Sequence, residues 1–274
     1  MRLTRWLPNW SLSALALLVA ACWPAGAQDQ PQRPGLIFTG DFESGGMEPY
    51  GDSHEHTVAK TAIVDEPVRA GEHALMVTLD RVAHAQMTRH RTDFWLRGMS
   101  QSALQGRDYW YGFSTFMPED WQADTQAELF VQWVLGGLPA TDVGGPSLAI
   151  YIYGEGYCLR KRWGPGTETY KNLWRGDVLA DRGRWVDWVF HVRWSAGDDG
   201  FIEVWRDGEQ IVDNTGVNCV QAEFAPYLKF GIYKWPWASD EGAAASSITR
   251  RVMYFDEIRI ADSNGDYQAV SPPQ

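Results

Sequence analysis

Pro226-Tyr227-Leu228-Lys229-Phe230-Gly231-Ile232-Tyr233-Lys234-Trp235 is the stretch on which the reading of this chain turns. Side chains of an extended strand alternate between faces, so Leu228, Phe230 and Ile232 share one side, and Tyr227, Lys229, Gly231, Tyr233 and Trp235 share the other. The first set is a core face. The second carries two phenols, an ammonium, an indole and a bare glycine, which suits a groove that receives sugar rings better than open solvent. A half-buried strand with an aromatic outer face would look the same, so function needs further strands of this character.

Two such strands exist. In Glu128-Leu129-Phe130-Val131-Gln132-Trp133-Val134-Leu135, alternation places Leu129, Val131, Trp133 and Leu135 in the core and turns Glu128, Phe130, Gln132 and Val134 outward. In Met87-Thr88-Arg89-His90-Arg91-Thr92-Asp93-Phe94-Trp95, Arg89, Arg91 and Asp93 share a face opposite Thr88, His90, Thr92 and Phe94. Unpaired charge is rarely buried, so the arginine face is the open one. A surface ion pair between Arg91 and Asp93, and a solvated Gln132, are the plain structural readings.

Working outward, strand-like runs recur between turn signals along most of the chain. They are predicted at 36–43, 56–64, 73–80, 87–95, 108–117, 128–135, 148–153, 185–194, 202–213, 227–235 and 251–260, with a hairpin turn at Arg206-Asp207-Gly208-Glu209. No long amphipathic helix competes with them. The pattern predicts one all-β domain over 35–274, a concanavalin A-like jelly-roll sandwich. With 274 residues and 15 Trp, the chain can bury a substantial single core.

The N-terminus reads as an export signal. Arg2 and Arg5 precede an apolar run from Leu12 to Ala21, and Ala25-Gly26-Ala27 offers a cleavage site, so 1–27 is a signal peptide and 28–34 a polar leader. A second reading ends the signal at 21 and lipidates Cys22. Both place the mature protein outside the cytoplasm, without a membrane span. In that oxidising setting Cys158 and Cys219 form a disulfide or remain two buried thiols. After the signal, 22 basic groups face 35 acidic ones. That balance excludes general binding to nucleic acid or anionic membranes, and leaves an anionic polymer only where cations converge.

Arg91-Thr92-Asp93, Gln132-Trp133-Val134 and the segment Tyr227 to Lys234 resemble, in order and rough spacing, the three motifs of jelly-roll polysaccharide lyases. The alginate lyases of this fold have Arg-Thr-Glu-Leu-Arg, Gln-Ile-His and Tyr-Phe-Lys-Ala-Gly-x-Tyr. The segments 185–194 and 200–208 are similar to glucuronan lyase and heparin lyase I. The resemblance covers nearly the whole mature chain. It implies β-elimination next to a uronic acid. The proton at C5 becomes acidic only when the neighbouring carboxylate is masked, and the leaving oxygen at C4 needs a proton donor. On this reading Tyr233 is the acid and a candidate base, while Gln132 and Arg91 neutralise the carboxylate. Lys229, Tyr227, Arg89 and Lys234 then contact the polymer, joined by Tyr151 and Tyr153, which oppose the core set Leu148, Ile150 and Ile152.

The chain departs from the family pattern at Val134, where alginate lyases have histidine. The base is therefore Tyr233 itself or another imidazole. His90 ranks first by its place in the motif, although it needs a bulge to leave the core side. His191 shares a face with Asp187 and Arg193, and His54, His56 and His84 lie near loops. Asp41, Glu43 and Asp256 resemble the terminal-strand acids that hold a structural calcium in many jelly rolls. No zinc spacing, phosphate loop, serine nucleophile or Glu-x-Asp-x-Glu strand is present. A carbohydrate-binding protein on the same sandwich is the alternative from another class. Either way the expected partner is an anionic polysaccharide, and the expected state a monomer.

Overall fold

The computed structural model of the chain describes residues 33–47, 50–52, 60–81, 90–96, 106–135, 145–164, 169–220 and 226–273. The export signal, Cys22, Arg89, His54, His56 and His84 lie outside those residues. The strands are β1 (Leu36–Gly40), β2 (Tyr50–Asp52), β3 (Lys60–Val64), β4 (Ala74–Asp80) and β5 (Arg91–Leu96). Next come β6 (Asp108–Phe116), β7 (Asp124–Val134), β8 (Leu148–Gly154), β9 (Gly156–Arg162) and β10 (Tyr170–Asp177). The last five are β11 (Trp185–Arg193), β12 (Phe201–Arg206), β13 (Glu209–Thr215), β14 (Tyr227–Tyr233) and β15 (Arg250–Ala261).

These strands pair antiparallel in two sheets. One runs β13-β12-β11-β6-β15-β4-β3 with β1 added on β15, and the other runs β10-β9-β8-β7-β14-β5-β2. The result is the expected jelly-roll sandwich. Its core lies between the sheets, where Trp133, Leu148, Ile150, Phe230 and Ile232 of the second sheet join one cluster with Phe113, Trp188, Phe190, Val204 and Phe255 of the first. Each such side chain, fully buried, is worth ~1.5–3 kcal/mol. The hairpin turn falls where expected, with Asp207 at φ 51° and Gly208 at φ 84° joining β12 to β13. Among the described residues no helix is long and apolar enough to cross a membrane.

Three local features differ from the sequence reading. Strands β2, β9 and β10 were not foreseen, because β2 has only three residues in a glycine- and acid-rich stretch, Arg160-Lys161-Arg162 looks like a solvated hairpin end, and β10 lacks apolar alternation. In β7 the register against β8 shifts between Leu129 and Val131, a bulge that puts Phe130 in the core cluster and Leu129 on the opposite side of the sheet. Glu128, expected outside, is 3% exposed.

The predicted disulfide is absent. Cys158 and Cys219 are both free and buried, and they belong to different apolar clusters on opposite sides of the second sheet. Cys158 lies near the Asn172 side chain instead, at 3.2 Å. The predicted calcium acids do not form a metal-holding group either, and none occurs among the described residues. Glu43 accepts the backbone N–H groups of Glu72 and His73, and Asp41 accepts that of Glu43. Asp256 accepts those of Arg69, Ala70 and Glu257, and burial pushes its carboxyl up to about 7.

Candidate active site

On the outer face of the second sheet, β5, β14 and β7 lie side by side. Register sets Tyr233 opposite Arg91, Gly231 opposite Asp93 and Lys229 opposite Gln132. Gly231 makes this possible. It has φ 134°, and a Cβ there would stand 2.1 Å from the Thr92 carbonyl oxygen, so a larger residue would push β5 away.

Asp93 is the hub of the arrangement at 2% exposure. The Gln132 Nε2 donates to Asp93 Oδ2 at 3.0 Å, and Lys229 Nζ stands 3.8 Å from the same oxygen. Arg91 Nε lies 3.7 Å from Oδ1, and its guanidinium sits over the Tyr233 ring, 5.2 Å from the centroid. Lys229 also lies over Trp95 at 5.1 Å. Burial raises the Tyr227 phenol pKa; Asp93 raises it further and Arg91 opposes both. The site therefore gathers two cations, an amide donor and two phenols around one sunken carboxylate.

An aromatic floor extends from this centre toward β10. Tyr233 and Trp235 pack on a small cluster of Leu129, Ala149, Tyr151 and Cys158. Tyr151 and Tyr153 stack at 5.8 Å between centroids. The Arg160 guanidinium lies 5.0, 5.7 and 4.3 Å from the rings of Tyr151, Tyr153 and Tyr170, with its Nε donating to Asn172 Oδ1 at 2.8 Å. Tyr153 and Tyr170 are exposed. Burial pushes the Tyr151 phenol up to about 12, so it stays neutral and offers a ring face and a hydroxyl.

The structure thus brings together Tyr233, Gln132, Arg91, Lys229 and Tyr227, with Tyr151 and Tyr153 on the same face. Two predicted residues do not belong. His90 is 2% exposed and sits edge-on to Trp237, because β5 pairs with β14 without the bulge that would have turned it outward. Lys234 is fully buried, with Nζ 2.8 Å from Asp124 Oδ2 and 3.2 Å from Glu128 Oε2. His191 lies on the other sheet, held by Glu203 at 2.7 Å and stacked on Trp110. Asp93, Trp95 and Tyr170 were missed as site residues, and Arg160, in a basic cluster suited to an acidic polymer, was set aside as part of a solvated hairpin end. Asp93 shares its alternating face with Arg91, and that was the available signal; Tyr170 offered none.

A family model described as polysaccharide lyase matches residues 42–259, a span that includes every residue of this site. No curated protein matches at a significant level. Among solved structures, the endo-beta-1,4-glucuronan lyase from the fungus Trichoderma reesei is similar, with 21% identity, a TM-score of 0.69 and coverage of 87% of this chain and 99% of that one. Cellulose induced protein Cip1 is similar at 14% identity and a TM-score of 0.50, covering 82% of this chain and 96% of that one. The binding domain of botulinum neurotoxin serotype C1 reaches a TM-score of 0.51 at 9% identity, over 85% of this chain and 50% of that chain. At such identities these likenesses show a shared fold.

Proposed function

This chain belongs to the polysaccharide lyase family, and from that premise we propose that it cleaves a uronic-acid polysaccharide by β-elimination on the outer face of β5, β14 and β7, outside the cytoplasm. Glucuronan is the first substrate to try, given what the similar fungal enzyme acts on. The observation that supports this reading best is the convergence of Arg91, Lys229, Gln132 and Tyr233 around one point of the sheet.

In the proposed reaction the uronate carboxylate is met by the Arg91 and Lys229 cations and by the second N–H of the Gln132 amide, whose first N–H is held by Asp93. Masking that charge lets the C5–H bond give up its proton while its electrons form the C4–C5 double bond. The C4–O bond breaks, and its electron pair takes a proton to become the new chain-end hydroxyl. Tyr233 supplies that proton. With His90 in the core, Tyr233 is also the proposed acceptor of the C5 proton, its ring held beneath the Arg91 guanidinium. Positioned proton transfer of this kind contributes about a hundredfold to ten-thousandfold.

Glucuronan, alginate, heparin and pectate, each incubated with the protein, test the reading through the absorbance of the unsaturated product. A rise on at least one uronan is expected. No rise on any of them, with binding retained, would favour a carbohydrate-binding protein instead.

A further inference from the structure

A continuous row of rings leaves the candidate centre and crosses the sheet. Between centroids, Trp235 lies 5.7 Å from Tyr233, Tyr151 lies 6.0 Å from Trp235, and Tyr153 lies 5.8 Å from Tyr151. The Arg160 guanidinium closes the row against Tyr151, Tyr153 and Tyr170. Strand register gives the direction. Tyr233 of β14 stands opposite Leu129 of β7, Leu129 opposite Tyr151 of β8, and Tyr151 opposite Cys158 of β9, the strand that carries Arg160. The row therefore runs across the strands, and Arg160 lies on the third strand from that of Tyr233.

The chemistry at the far end is that of an anion site. Arginine carries five N–H donors in a planar fork. The Nε of Arg160 donates to Asn172 Oδ1 at 2.8 Å, and the Tyr153 hydroxyl takes another of its N–H groups. Among the described residues no carboxylate pairs with Arg160, so its fork keeps donors for a carboxylate brought by a ligand. Tyr153 and Tyr170 are exposed and offer rings against which a sugar packs. Neighbouring strands sit ~4.8 Å apart, and each unit of a 1,4-linked pyranose chain advances by about the same amount, so three strands correspond to about three sugars.

We propose that Arg160, with Tyr153 and Tyr170, forms a second uronate subsite about three sugars along from the cleaved bond, and that it makes the protein select chains that carry another uronate there. The proposal rests on the uronan reading of the centre and extends it. A chain too short to reach Arg160 forgoes the contact, and a neutral sugar above it leaves the guanidinium without its anion.

Glucuronan oligomers from the disaccharide to the octasaccharide test this, with kcat/KM and equilibrium binding measured at each length. In wild type both should step up once the chain spans from the centre to Arg160. Arg160→Gln should shrink the step about tenfold, the scale of one charge-assisted hydrogen bond, and Arg160→Lys should fall between the two. Wild type without a step, or a step that persists in Arg160→Gln, overturns the proposal. If Arg160→Gln does not fold, Tyr170→Ala alters an exposed ring and should also shrink the step; an unmoved step overturns the proposal equally. Binding of an octasaccharide whose carboxylates are reduced to alcohols reads the charge. Wild type and Arg160→Gln should bind it alike, and a gap as wide as on the native octasaccharide would overturn recognition of a uronate. Should no oligomer be cleaved while binding steps up with length and Arg160→Gln removes that step, the lyase reading falls and the subsite stands. Cleavage without a length step gives the converse.

Discussion

Lys229 and Lys234 lie on and just beyond one strand, both against carboxylates, yet they do opposite work. Lys234 is sealed in the core with Asp124, Glu128 and Arg251. Its Nζ donates to the Gln126 carbonyl at 2.7 Å, and Arg251 closes on Glu128 at 2.8 Å. Burial alone would raise the Asp124 carboxyl, but Lys234 and the Ser246 and Ser247 donors outweigh it and hold it below the usual range. Two cations meet two anions there at short contacts. Around Asp93 the contacts to cations are longer, 3.7 and 3.8 Å. Tight contacts in the core make a structural node. Looser contacts at the outer face of the sheet leave room for a ligand group between the partners.

The largest effect that would break this comparison is one of stability. Lys234→Met leaves two buried carboxylates with one cation, and denaturant unfolding should show a loss of about 3–5 kcal/mol. Lys229→Met should cost far less stability and show its effect in kcat/KM. If both variants lose stability alike, the division between node and site is wrong. The next effect is chemical. Tyr233→Phe removes one oxygen and keeps the ring beneath Arg91, so turnover should fall about a hundredfold, roughly 2.7 kcal/mol, with an unchanged melting curve. Near-normal turnover would remove Tyr233 from the mechanism.

Gln132→Ala should cost roughly 1.5–3 kcal/mol, spread over both KM and kcat, because its proposed partner is charged before and during the reaction. An effect on stability alone would confine Gln132 to holding Asp93. Smaller again, Tyr170→Ala should weaken polymer binding by about 1 kcal/mol, roughly fivefold, by removing an exposed ring from the Arg160 platform, and should leave cleavage of very short substrates alone. Equal losses on short and long substrates would mean that the platform is not a distant contact.

Much of this was legible before the structure. Alternation separated Leu228, Phe230 and Ile232 from Tyr227, Lys229 and Tyr233, turned Gln132 and Arg91 outward, and placed Tyr151 and Tyr153 opposite their core neighbours. Its failures have local causes. The bulge at Leu129 to Val131 inverts the faces of β7 on one side of it, and nothing in that apolar run signals an extra residue. Motif position made His90 the first candidate for the base and Lys234 a polymer contact, although alternation sets each beside core residues, and here the simpler rule prevails. Asp93 was visible but read as half of a weak surface pair; only the third strand, bringing Gln132, shows it to be a buried hub. Cysteine counting suggested a bridge because it is blind to which face of a sheet each thiol occupies.

The central claim is that bond breaking at this face is an elimination, in which no water is consumed. Glucuronan cleaved in water enriched in the heavy oxygen isotope, with products weighed by mass spectrometry, tests it directly. The account predicts product ends that contain none of the label and carry a carbon–carbon double bond at the new non-reducing end. Label incorporated at the cleaved position, with saturated products, would mean hydrolysis and would contradict it.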